Sequence, residues 1–252
     1  MSQLQFTFLG TGSSSQLPVF RCDCPACERA REDTFFVRRP CSAMLSSEKQ
    51  MWLIDSGLTD LAARFEQENI RGILQTHYHA DHVQGLLHLR WGRGDTIPVY
   101  GPHDEVGFAD LYKHPGILDF QKGWEAFECK DFGAFTATAL PLQHSRPTMG
   151  YLISARENIA YLTDTCGLSN EVLCFLQKVP LKYVVLDCSY PPLPNPRQHN
   201  DLTTALALIE VLKPQHGFLT HIDHKLDCYL MEHPQALSEN VFLARDNLVL
   251  EI

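Results

Sequence analysis

The sequence predicts an α/β fold in which β-sheets are covered on their outer faces by helices. Short apolar runs with strand character recur along the 252 residues. They interleave with amphipathic stretches of helical spacing, without the strict β-α-β alternation of a single parallel sheet. Several runs end in a histidine or an aspartate, which puts polar chemistry on loops that follow strands. With 44% hydrophobic and 20% charged residues, the chain has the composition of a globular protein and the length for a sizeable core. No repeat, low-complexity tract or Gly/Ser linker divides it, so residues 1–252 read as one domain.

The elements follow in order. "LQFTFLGTGSSS" alternates Leu4, Phe6 and Phe8 before a Gly/Ser break, a strand running into a loop. "MWLIDSG" is a buried strand ending at Asp55, and "LTDLAARFEQEN" an amphipathic helix. "IRGILQTHYH" is a strand that enters a histidine loop, and "ADHVQGLLHLRWG" returns to helical spacing. "IPVYGP" reads as a strand and "HDEVGFADLYKH" as a helix. The middle of the chain is strand-rich: "FTATALPL", "MGYLISA", "NIAYLTD". "SNEVLCFLQ" is a helix capped by Ser169, "KYVVLDCS" a buried strand, and "DLTTALALIEVLK" a helix capped by Asp201 and ended before Pro214. "HGFLTH" is another buried strand, and "ENVFLARDNLVLEI" a closing hairpin around "RDN".

Charge and composition narrow the function. The formal net charge is −9 with no basic patch, which argues against a nucleic-acid partner. An anionic substrate then needs positive charge supplied locally, as metal ions supply it. No apolar run reaches the roughly 18 residues of a membrane span. "MSQLQFTFLG" lacks the basic start and cleavage pattern of a leader. The expectation is a cytoplasmic protein with no membrane partner, its nine cysteines mostly thiols or metal ligands.

Three of those cysteines stand together. "RCDCPACERA" places Cys22, Cys24 and Cys27 in a C-x-C-x-x-C pattern. Such a cluster is a redox device, part of a disulfide, or three ligands of a metal that needs a fourth. The spacing is not the C-x-x-C of a thioredoxin-like pair.

The strongest signal is "THYHADH", which gives His77, His79, Asp81 and His82. In a chain with 12 histidines it is expected by chance only about 0.002 times. Imidazole and carboxylate are ligands of choice for Zn²⁺, Mn²⁺ or Fe²⁺. Four ligands do not complete two catalytic ions, and three further strand ends offer the rest: His144 in "LQHS", Asp164 in "LTDT" and His221 in "LTHID".

With Asp55 in "LIDSG", these residues make the chain resemble the metallo-β-lactamase superfamily, in the family's own order. The resemblance implies an αββα sandwich of two mixed sheets flanked by helices. It assigns His77, His79 and His144 to one metal ion and Asp81, His82 and His221 to a second, with Asp164 bridging and Asp55 orienting the loop. Two cations that close would make a bridging hydroxide the nucleophile of a hydrolysis, especially of a phosphate ester. Histidine at all three positions of the first group argues against the redox di-iron branch, which carries a glutamate in the loop.

Further stretches are more specific. "GTGSSSQLP", "CDCPAC", "RWGRGDTIPVYGP", "LYKHPGILDF", "LPLQHSRPTMGY", "LDCSYPP" and "RQHNDLTTAL" resemble the phosphodiesterases of the carbon–phosphorus lyase pathway for phosphonate use. "SSSQLP" is less Gly-rich than that family's version. This resemblance implies hydrolysis of 5-phosphoribosyl 1,2-cyclic phosphate to ribose 1,5-bisphosphate, with Mn²⁺ as the expected catalytic metal, Zn²⁺ or Fe²⁺ as alternatives, and a homodimer. It implies a structural Zn²⁺ on Cys22, Cys24, Cys27 and His224, in a zinc-binding loop at about 20–40. It makes His199 in "RQHNDL" the general acid. Arg146, Lys113 and His114 are candidates for the 5-phosphate. Two other readings stay open: a tRNA 3′-end nuclease of the same fold, and a non-catalytic metal-binding protein like the pyrroloquinoline-quinone pathway member.

Overall fold

A computed structural model describes residues 4–47 and 50–252. The first three residues of the N-terminal stretch read for a leader lie outside them. Among the described residues, fourteen strands form two seven-stranded sheets. The first sheet contains β1 (Gln5–Gly10), β2 (Ser42–Ser47), β3 (Gln50–Ile54), β4 (Ile70–Leu74), β5 (Ile97–Tyr100) and β6 (Leu118–Phe120). The second contains β7 (Cys129–Asp131), β8 (Thr136–Pro141), β9 (Met149–Ser154), β10 (Asn158–Leu162), β11 (Tyr183–Asp187), β12 (His216–Thr220) and β13 (Val241–Leu243). The last strand, β14 (Val249–Glu251), returns to the first sheet beside β1. The orders are β14-β1-β2-β3-β4-β5-β6 and β13-β12-β11-β10-β9-β8-β7.

Both sheets are mixed in the same way. Antiparallel pairs run from β14 to β3 and from β7 to β10. Parallel pairs run from β3 to β6 and from β10 to β13. Phe6, Phe8 and Trp52 of one sheet pack against Tyr151, Tyr161 and Phe218 of the other in a shared inner core. Helices α1 (Pro25–Glu32), α2 (Leu61–Arg64), α3 (Ala80–Val83), α4 (Leu86–Leu89), α5 (Ala109–Lys113), α6 (Asn170–Leu176), α7 (Leu202–Leu212) and α8 (His224–Glu232) complete the chain. Leu61, Leu86 and Leu111 from α2, α4 and α5 close the outer face of the first sheet. Val172, Ile209 and Leu226 from α6, α7 and α8 close that of the second. The result is the helix–sheet–sheet–helix layering expected from the sequence. Ser169 and Asp201 cap α6 and α7 as predicted, accepting from the Val172 and Thr204 amides.

Three local expectations fail for physical reasons. "ENVFLARDNLVLEI" is not a hairpin: β13 pairs with β12 in one sheet and β14 with β1 in the other. Asp246, in the middle of "RDN", accepts from Thr11 Oγ1 at 2.8 Å and from the Arg39 amide at 2.9 Å, so the turn crosses between the sheets. The helix predicted over 103–114 keeps only α5, because the Asp104 carboxylate accepts from the Val106 and Gly107 amides in a competing turn. The histidine-loop helix divides into α3 and α4 at Gly85. The Gly85 amide leaves the helical ladder and donates to the Ser56 carbonyl at 2.9 Å.

A buried ion pair ties the cysteine loop to α8. Arg38 bonds Asp227 at 2.7 and 3.2 Å, the Ala244 carbonyl at 2.7 Å and Thr11 Oγ1 at 3.0 Å. Arg38→Met leaves the Asp227 carboxylate buried without this partner. Urea denaturation should then show a loss of roughly 3–5 kcal/mol.

Candidate metal centre and active site

Most of the predicted catalytic ligands sit in loops that follow strands, and Asp81 and His82 stand in α3 directly after the histidine loop. Such loops are where open α/β sheets place their sites. Asp55 follows β3, and His77 and His79 follow β4. Asp164 follows β10, and His221 follows β12. His144 lies between β8 and β9. Asp55 and His221 hold left-handed backbone, φ 60° and 59°, which non-glycine residues adopt at a cost.

Asp55 organises the histidine loop. It is fully buried and accepts from the Thr76 amide at 2.8 Å, Thr76 Oγ1 at 2.9 Å and Gln75 Nε2 at 2.7 Å. His82 Nδ1 donates to it at 2.8 Å, which turns His82 Nε2 toward the centre. His144 is held similarly, its Nδ1 donating to the Gln198 carbonyl at 3.0 Å. His221 Nδ1 lies 2.9 Å from the Ser189 hydroxyl. In each case the outward nitrogen is occupied, and the inward one faces the centre.

Two groups of donors converge. His79 Nδ1 is 3.0 Å from His77 Nε2 and 3.1 Å from His144 Nε2. Asp81 Oδ2 lies 3.5 Å from His82 Nε2 and 3.7 Å from His221 Nε2. Asp164 Oδ2 stands between the groups, 3.7 and 3.8 Å from His77 and His144 on one side and 3.3 and 3.4 Å from His82 and His221 on the other. Burial opposes ionisation of Asp164, but His221 and His82 hold its carboxyl well below the usual carboxylate range.

These residues fit a pair of divalent cations. Nitrogens on one ion with roughly 2.0–2.1 Å bonds lie near 3 Å from each other. Among the described residues, His82 Nε2 and His221 Nε2 are buried with no hydrogen-bond partner, a cost that a ligand bond removes. Asp55, Asp81 and Asp164 also surround His82 with carboxylate charge, which cations answer.

A further histidine covers the centre. His199 stacks on His221 with centroids 4.6 Å apart, and its Nδ1 donates to Asp187 Oδ2 at 2.7 Å. Burial works against its protonation, but Asp187 raises its pKa to about 9. Asp187 is fully buried at the end of β11 and also accepts from the Thr165 amide at 2.9 Å. The sequence reading gave Asp187 no role. The signal was there: it ends an apolar strand just as Asp55 and Asp164 do.

The cysteine cluster assembles across the chain. Cys22, Cys24, Cys27 and His224 bring donor atoms within 4.8 Å of one another, and His224 Nδ1 is 3.5 and 3.4 Å from the sulfurs of Cys22 and Cys24. A tetrahedral zinc with its usual bond lengths places sulfur and nitrogen about 3.5 Å apart. Burial opposes ionisation of Cys24, but His224 and the Cys27 amide lower its thiol to about 6. The four residues fit a closed Cys₃His site without an open position for chemistry. Cys24→Ser should remove one zinc ion per chain. A loss of about 3 kcal/mol would lower the melting temperature by roughly 6–12 °C.

The phosphate candidates are not gathered in. Arg146 bonds Asp104 at 2.8 and 3.1 Å and the carbonyls of Tyr78 and Gly107 at 3.0 and 2.9 Å. Its guanidinium braces the histidine loop and has little left for a phosphate. Lys113 and His114 are exposed at the end of α5, and among the described residues no hydrogen bond joins either side chain to the centre.

Comparison with known proteins places this geometry. Residues 53–222 match the family model described as the beta-lactamase superfamily domain. A crystal structure of a diphosphatase from the PhnP family superposes with a TM-score of 0.84 at 27% identity, covering 99% of this chain and 97% of that one. Ribonuclease Z of Methanosarcina acetivorans is 27% identical over 164 residues, 60% of this chain and 48% of that protein. Coenzyme PQQ synthesis protein B of Rhodopseudomonas palustris is 27% identical over 116 residues, 41% of this chain and 37% of that protein. The chain thus spans half or less of the length of these curated relatives. The matched stretch holds Asp55, every residue of both converging donor groups, Asp164 and the His199–Asp187 pair. By that match and by its two-sheet architecture, the chain belongs to the metallo-β-lactamase superfamily.

Proposed function

We propose that the protein is a metal-dependent phosphodiesterase that opens 5-phosphoribosyl 1,2-cyclic phosphate to ribose 1,5-bisphosphate. One observation carries the reading: a single buried carboxylate oxygen, Asp164 Oδ2, lies between two sets of inward ligands, and His199 stands directly over them. The likeness to a PhnP-family diphosphatase over nearly the whole of both chains supports it, as does the likeness to ribonuclease Z, a name that also denotes phosphodiester cleavage.

His77, His79 and His144 would hold one cation and Asp81, His82 and His221 the other, with Asp164 shared. Two divalent cations bound there supply a water of lowered pKa and neutralise phosphate charge, Mn²⁺ being the expected pair. The protein's own groups do the rest. Asp55, Gln198 and Ser189 fix the ring orientations, so the inward nitrogens need no rearrangement during the reaction. Asp187 keeps His199 protonated above neutral pH. As water adds to phosphorus, the bond to the ribose 2-oxygen breaks, and His199 gives that oxygen its proton.

Asp187→Asn tests the pair. It removes the charge that keeps His199 protonated, so the His199 pKa falls toward the ordinary histidine value. The alkaline limb of the turnover profile should move to lower pH, with metal content unchanged. An unmoved limb would separate Asp187 from the proton transfer.

A further inference from the structure

The two sheets finish on the same side of the sandwich, where β14 is the outer strand of one and β13 of the other. Between these edges lies a cleft of about 690 Å³, lined by residues of both strands and by none of the metal-centre ligands. That volume suits a small molecule. The inner wall is the inter-sheet core, with Tyr183 and Phe218 from one sheet and Leu250 from the other. Phe242 carries the wall outward: it packs 5.5 Å from Phe218 and is 42% exposed.

The charge at the cleft is unbalanced. Asp227 is the carboxylate that lines it, and Arg38 already grips that group through two hydrogen bonds. Arg29 lies 3.8 Å from Asp227 and makes no side-chain hydrogen bond among the described residues. Its guanidinium sits 4.0 Å over the Phe36 ring. Arg245 lies 4.4 Å over the Phe35 ring and has neither hydrogen bond nor ion pair among the described residues. The Phe35 and Phe36 rings are neighbours, with centroids 5.1 Å apart. One end of an apolar cleft therefore presents two guanidiniums with donors available, and its lining carboxylate, Asp227, is held by Arg38 and only distantly by Arg29.

We propose that this cleft binds a small amphipathic carboxylate, its aromatic ring or short apolar chain against Phe218 and Phe242 and its carboxylate at the Arg29–Arg245 end. The apolar wall selects for the body, and the arginines select for the sign of the head. A neutral or cationic analogue of the same body would keep the wall contact and lose the head. A second copy of the chain docked across the two open edges is the competing occupant.

Isothermal titration calorimetry of the metal-loaded full chain with 4-phenylbutyrate, and with 4-phenylbutylamine, tests this. The acid should bind saturably, one per chain, and at least roughly tenfold more tightly than the amine. Arg245→Met, at an exposed residue, should erase that preference. Phe242→Asp should abolish binding while hydrolysis of bis(4-nitrophenyl) phosphate is unchanged. Equal binding of acid and amine would overturn the proposal. So would binding that survives both substitutions, the absence of saturable binding, or a dimer that Phe242→Asp converts to a monomer.

Discussion

Asp164→Ala is expected to lower phosphodiester turnover by at least roughly 10³-fold, about 4 kcal/mol of transition-state stabilisation. The reason is positional. Asp164 Oδ2 is the atom within 3.8 Å of the inward nitrogens of His77, His82, His144 and His221 together. Among the described residues no other carboxylate touches both groups: Asp81 reaches only His82 and His221, and Asp55 faces the back of His82. Without Asp164 the two groups lose their common anionic oxygen, and His82 Nε2 and His221 Nε2 lose the charge that lies nearest to them. Elemental analysis after dialysis should show fewer ions per chain than in the parent, while the ion on the cysteine cluster stays. Full activity and full metal content in Asp164→Ala would contradict the shared-ligand reading.

His199→Ala is expected to separate binding from proton transfer. His199 shares a donor cluster with Asp164, Asp187 and His221, but its Nδ1 is taken by Asp187 and the two ligand groups are complete without it, so metal content should hold. Turnover of the cyclic sugar phosphate should fall by roughly 10²–10⁴-fold, the range of general acid catalysis. The ribose 2-oxygen leaves as an alkoxide and needs the proton that Asp187 keeps on His199. A 4-nitrophenolate needs none, so an activated aryl diester should lose far less. An equal loss on both substrates would make His199 a packing residue of the metal centre.

Much of this site was legible in the sequence because its parts are local. "THYHADH" delivers four donors at one strand end, and each remaining ligand ends an apolar run that fixes it to a sheet. The Cys₃His set was harder. Cys24 and Cys22 stand 200 and 202 residues from His224, and spacing alone left a fourth ligand unnamed until the family resemblance pointed to His224. Asp187 escaped because it binds no predicted ligand directly; only its contact with His199 gives it meaning. Arg146 shows the opposite case. An arginine next to a site suggests an anion, and nothing in the sequence told that Asp104 already occupied it.

The fold followed the same division. The layering was readable from strand and helix periodicities, whereas the last two strands were not. A turn signal between apolar runs predicts a hairpin, but Asp246 bonds to Thr11 and Arg39 across the sandwich and sends β14 to the other sheet. That crossing also leaves β13 and β14 as outer strands on one side and opens the cleft between them.

One assay separates opening of the cyclic ester from cleavage of RNA. The metal-reconstituted protein is incubated with 5-phosphoribosyl 1,2-cyclic phosphate, and separately with precursor tRNA, and the products are identified by phosphorus NMR and gel electrophoresis. The expected result is ribose 1,5-bisphosphate from the cyclic ester and an intact tRNA. Cleavage of the tRNA with the cyclic ester untouched, or inertness toward every cyclic diester at full metal content, would contradict it.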